Sequence, residues 1–171
     1  MTGRPESTLA AEVAEALIGA GWRPGRRNEV QARAWGLRLA SHASPGGRQQ
    51  AVFPAALDAF ARYGGLTVEP DGTADPQGTE EVARSGFTLD PLRALHTVET
   101  LAALAARIGV ALAPLGEEAS GVGILAIDEQ GRVFVLDHAG EWFLGASIDE
   151  ALGTLVLGRR PARVREDGTW T

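Results

Sequence analysis

The sequence predicts a single-domain α+β fold, and three observations predict it. Apolar residues in the first third recur at helical spacing, and glycines close the segments. After Gly64-Gly65 the apolar runs shorten to strand length. Further on, Asp128-Glu129-Gln130-Gly131 separates two short apolar runs, as a β-hairpin turn does. Helices first, then strands with one helix among them, then a helix again is the order of an α+β chain, not of a regular βαβ repeat.

Each element has its own local reason. Leu9, Val13, Ala16 and Leu17 share one helical face, and Gly19 and Gly21 end it. Asn28 with Gln31 three residues later forms a capping-box pattern ahead of a helix carrying Trp35, Leu37 and Leu39. Pro54 suits the first turn of a third helix, with Leu57, Phe60 and Ala61, that stops at Gly64-Gly65. Leu66 to Val68 reads as a strand, Pro70-Asp71-Gly72 as a turn, and residues 72–85 as a long acidic loop. Phe87 to Leu89 is a second strand, ended by Asp90-Pro91.

A fourth helix presents Val98, Leu101, Ala105 and Ile108 on one side, and Ala111 to Leu115 follows as a strand. The hairpin arms, Ile124–Ile127 and Val133–Leu136, are apolar at every position. Both of their faces are therefore expected to be covered. Trp142 to Leu144 reads as the last strand, and Ser147 with Glu150 caps a final helix through Leu152, Leu155 and Val156. Residues 1–158 are expected to form the domain. Residues 159–171 form a polar, arginine-bearing tail expected to fray.

Composition limits the function classes. The 171 residues are 44% hydrophobic and 22% charged, carry a net charge of −6, and include neither cysteine nor lysine. Disulfides, thiolate metal sites and cysteine nucleophiles are thereby excluded, as is a lysine-dependent phosphate loop. An acidic chain is poorly suited to displace counterions from nucleic acid, so no direct nucleic-acid contact is expected, whereas a basic protein partner fits. Leu9 to Ile18 is interrupted by Glu12 and Glu15 and has no basic lead, so it does not read as a signal peptide. Thr97 to Leu115 holds Glu99, Arg107 and Pro114 and does not read as a membrane span. The expected location is the cytoplasm.

Patterns of catalytic chemistry fail one by one. His42, His96 and His138 are not at metal-ligand spacing, and no metal or cofactor is expected. Asp137, His138 and Glu141 are the one candidate catalytic cluster, but neighbours on a strand point to opposite faces. Gly121, Gly123 and Ala126 fit a G-x-G-x-x-A string that leads into a strand, where a dinucleotide fingerprint opens a helix. Glu118 occupies the first-glycine position of a G-x-S-x-G elbow around Ser120.

Carboxylates are abundant, at Asp71, Asp75, Glu80, Glu81, Glu117, Glu118, Asp128 and Glu129, all on expected loops or turns. Solubility, a protein-binding surface, and paired-acid catalysis are the three readings they allow. Of the tryptophans, Trp35 and Trp142 read as core and Trp22 as a packed corner. Trp170 has no assigned role.

Several landmarks in order carry a resemblance. They are Ala20-Gly21-Trp22 with Pro24, Arg26 and Arg27; Phe60 to Val68; Phe87 to Pro91; Pro114 to Glu117; Gly123 to Leu136; and Leu144-Gly145. Together the set resembles the SUKH superfamily of Smi/Knr-related immunity proteins, its third subgroup, from about Leu9 to Gly158.

The resemblance implies an α+β domain with a curved, mixed or antiparallel sheet flanked by helices, and no catalytic residues. It also implies a bacterial protein that binds and neutralises a cognate polymorphic toxin, a nuclease or a nucleic-acid deaminase. Gly21, Trp22, Pro24, Gly64, Gly65 and Gly116 then hold structural positions of the family. Acidic loops can mimic phosphate, so Asp71, Asp75, Glu80, Glu81, Glu117 and Glu118 are the expected toxin contacts. An interaction module with a non-toxin partner is the alternative reading, and a small hydrolase the third.

Overall fold

Capping groups convert the local signals of the sequence into elements. In the computed structural model, which describes residues 9–69 and 85–171, the Asn28 side chain accepts a 3.0 Å hydrogen bond from the Gln31 amide. It thereby opens helix α2 (Glu29–Ala40), after α1 (Ala11–Gly19) and before α3 (Pro54–Tyr63). Pro54 occupies the first turn of α3. Ser147 accepts from the Glu150 amide at 3.1 Å, and the Glu150 carboxylate reaches back to the Ala146 amide at 3.1 Å, opening α5 (Ile148–Leu157). Asp90 caps a 3₁₀ segment, Pro91–Thr97, that leads into α4 (Val98–Ile108); this segment was not expected from the sequence.

The strands are β1 (Thr67–Val68), β2 (Phe87–Thr88), β3 (Leu112–Glu118), β4 (Gly123–Asp128), β5 (Val133–Asp137), β6 (Gly140–Gly145) and β7 (Ala162–Arg163). They form one sheet in chain order with every pairing antiparallel, so the sheet is a meander and not mixed. The α+β class holds.

Both faces of the sheet are covered. Helices α1, α2, α3 and α5 supply Leu17, Leu39, Phe60, Tyr63 and Leu152 to one core, where they meet Leu125, Ile127, Val133 and Val135. Leu101 and Leu104 of α4 lie in a second core with Ala126, Phe134, Leu136 and Val164. Successive residues of β4 and β5 thus go to opposite cores, which is why these arms are apolar at every position. Full burial of a leucine is worth about 2 kcal/mol, so each face holds its helices by apolar area.

Four expectations need correction. The chain beyond Gly158 does not fray. It adds β7 beside β6, buries Val164, and brings Trp170 to stack on Phe143 at a centroid distance of 4.8 Å. Arg107 of α4 fastens it, donating to the Arg165 carbonyl at 2.9 Å and pairing with Glu141 at 2.9 Å. Asp128 is not a solvated turn acid but is fully buried. Glu117 and Glu118 lie not on a loop or turn but in strand β3. Leu37 of α2 points outward and is 68% exposed.

Two of the glycines are explained by space. A Cβ at Gly116 would overlap the Thr88 carbonyl, and one at Gly64 would overlap both the Phe60 carbonyl and the Trp35 ring. The corner at Gly21 carries φ +104°. Beyond it Trp22 is buried and stacks on Tyr63 at 5.9 Å, while Arg26 donates to the Gly64 carbonyl at 2.7 Å. Pro24 is exposed in the same corner.

Candidate functional site

Strand β3 ends in Glu117 and Glu118, and its pairing with β4 decides where each points. The register steps from Pro114↔Ala126 to Gly116↔Leu125, so Leu115 is an extra residue in a bulge. Beyond the bulge the alternation is reversed. Glu117, opposite Ile124, faces the second core's side and is paired with Arg93 at 2.8 Å. Glu118 turns to the face carrying α1 and α5.

Glu118 lies in a hollow of about 310 Å³ beyond the C-terminal end of α5. Val135, Trp142 and Leu144 form its apolar lining, and Asp137 lines it too. Gly123, the β4 partner of Glu118, makes the room, since a Cβ there would come within 3.1 Å of Glu118 Oε2 and 3.0 Å of Val135. Loss of hydration holds the Glu118 carboxyl above its ordinary range, and the negative charge of Asp137 adds to this; a hydrogen bond from Ser85 opposes both. Asp137 accepts from the Ala139 and Gly140 amides at 2.8 and 3.1 Å and from the Trp142 indole at 3.4 Å. Arg159 and Arg160 also line the hollow, and neither pairs with an acid among the described residues.

A second hollow, about 340 Å³, adjoins the first, with Ser85 and Leu155 common to both. Val68, Phe87 and Ala16 line its apolar part, and Glu12, Glu15 and Glu69 stand around it. Each of these three acids is exposed and without a hydrogen bond or ion pair among the described residues. Sequence reading did not select them. Glu12 and Glu15 stand three apart on α1, but only the packing of α1 beside α5 and β1 brings Glu69 to them.

Of the expected toxin contacts, Glu118 is in this region and Glu117 is engaged elsewhere. Asp71, Asp75, Glu80 and Glu81 lie outside the described residues. The candidate catalytic cluster is separated: Asp137 caps the β5–β6 turn, His138 is exposed within that turn, and Glu141 is held by Arg107. Among the described residues no three His, Asp or Glu side chains are grouped to hold a metal ion. The G-x-G-x-x-A string opens strand β4 rather than a helix. No described helix is long and apolar enough to cross a membrane.

Comparison with known families matches the chain to the model described as SUKH-3 immunity protein over residues 9–158. No curated protein and no solved structure matches the chain.

Proposed function

The chain belongs to the SUKH-3 immunity protein family, and from that premise we propose that it binds a cognate polymorphic toxin and neutralises it inside the producing bacterial cell. The observation that carries this reading is the family match over residues 9–158. The toxin we have in view is basic, a nuclease or nucleic-acid deaminase, because such proteins gather positive charge where they hold phosphate. Protection then comes from occlusion and not from chemistry. The dispersal of Asp137, His138 and Glu141 supports a binding role, since acid–base catalysis needs its groups within hydrogen-bond reach of one reacting atom. A cytoplasmic site of action belongs to the same proposal.

Glu118 is the described acid we assign to the contact. Asp71, Asp75, Glu80 and Glu81 are proposed with it from their charge alone. Glu117 has a poorer claim, because releasing it means breaking its pair with Arg93.

The test is co-expression with the product of a toxin gene adjacent to its own. Cells are expected to survive with the chain and die without it, and the purified pair is expected to elute as one complex. Undiminished killing together with separate elution overturns the reading.

A further inference from the structure

We propose that the two adjoining hollows form one docking trough for a basic segment of a protein partner, with apolar side chains seated on the floor and arginines or lysines against the acidic walls. The inference rests on the immunity reading for the partner's identity, but its geometry stands separately. The trough runs past Leu155, with Phe87 and Val68 on one side of it and Trp142 and Leu144 on the other. At about 340 and 310 Å³, each hollow has room for one or two large side chains.

Charge complementarity selects the occupant. Most acids elsewhere on the described surface already have a cation: Glu29 and Asp58 with Arg27, Glu99 with Arg48, Glu117 with Arg93, Glu141 with Arg107. Glu12, Glu15, Glu69, Glu118 and Asp137 have none among the described residues, and all five line the trough. They arrive from four separate places in the chain (α1, the end of β1, the end of β3 and the end of β5), so they are not one solvated run. Glu118 and Asp137 line the same hollow and repel each other, and a guanidinium or ammonium placed between them removes that repulsion. Arg159 and Arg160 line the second hollow but not the first, and they repel a uniformly basic rod. They set the polarity of the occupant, whose cations lie toward α1 and β3.

The probe is a short blocked peptide of leucine and arginine patterned as an amphipathic helix, with a leucine–glutamate peptide as control, titrated into the isotope-labelled full chain. The leucine–arginine peptide is expected to shift the amides of Ala16, Val68 and Leu155 and the indole N–H of Trp142; the control is expected to shift none. Glu15→Arg combined with Glu69→Arg, both at exposed positions, is expected to weaken binding about tenfold, and Glu118→Gln to weaken it less. No binding, shifts centred on Val30 and Leu37 of α2, or unchanged affinity in the double variant overturns the trough.

The toxin assay separates the two readings. If the wild-type chain protects and the Glu15→Arg/Glu69→Arg variant protects equally, the trough fails while the immunity reading stands. If the wild-type chain does not protect but the peptide seats in the trough, the immunity reading fails and the trough stands.

Discussion

Asp128 fixes the β4–β5 turn with both carboxylate oxygens. One accepts from the Gln130 and Arg132 amides, each at 2.9 Å, and the other from Arg132 Nε at 2.6 Å. Alanine at this position strands two part-buried amides and a guanidinium. The expected loss is about 2 to 3 kcal/mol, read as a lower urea midpoint with an unchanged slope. Glu118 behaves in the opposite sense. Its folded-state pKa lies above the unfolded one, so its contribution to stability is fully present below the ordinary glutamate range and is lost as pH rises through the folded value. Asp137 lines the same hollow with like charge, as do Arg159 and Arg160 with opposite charge. Glu118→Gln is therefore expected to match the wild type in acid and to exceed it in thermal stability at neutral pH. Equal melting curves at neutral pH would count against the electrostatic argument. The sequence shows both residues as turn or strand-end acids of similar appearance. Their difference comes from what the neighbouring strands place around them, which no local pattern carries.

At the level of elements, the helices and the hairpin were legible because each is specified within a few residues. Asn28 and Gln31 cap α2, Ser147 and Glu150 cap α5, and Gly131 takes a φ of +86° in the β4–β5 turn. The bulge at Leu115 was not legible, since it depends on how β4 aligns with β3. A strict alternation from Leu115 would turn Glu117 toward the helices where Glu118 stands. The C-terminal strand was hidden for a related reason. Its partners are distant in sequence, and thirteen residues with one valine and one tryptophan have no periodicity to read. Trp170 nevertheless stacks on Phe143, meets Phe134 edge-on at 5.4 Å, and lies under Arg132 at 5.0 Å. Trp170→Ala is expected to cost about 2 to 3 kcal/mol and to diminish the near-ultraviolet circular dichroism. A stability unchanged by this substitution would mean that the tail does not close the second core.

Across the whole molecule, net charge and local charge make different claims. The excess of −6 reads in the sequence as general acidity, suited to solubility as much as to a partner. Folding sorts that excess: arginines neutralise acids near α2, α3 and α4, while Glu12, Glu15, Glu69, Glu118 and Asp137, which have no cation among the described residues, line the two hollows beside α1 and α5. A field so concentrated acts on the approach of a cationic partner before any contact forms, and salt screens it beyond a Debye length of about 8 Å at physiological ionic strength. The apolar floor acts only once the segment is seated, and salt leaves it nearly untouched. The two contributions are therefore expected to separate kinetically. Raising the ionic strength from about 0.05 to 0.5 M should lower the association rate of the toxin complex by about tenfold or more, with the dissociation rate changing little. In the Glu15→Arg/Glu69→Arg variant the salt slope should flatten, because fewer charges remain to be screened. Stopped-flow association at several salt concentrations measures both. A rate independent of salt in the wild-type chain would assign the interface to another, uncharged surface of the molecule.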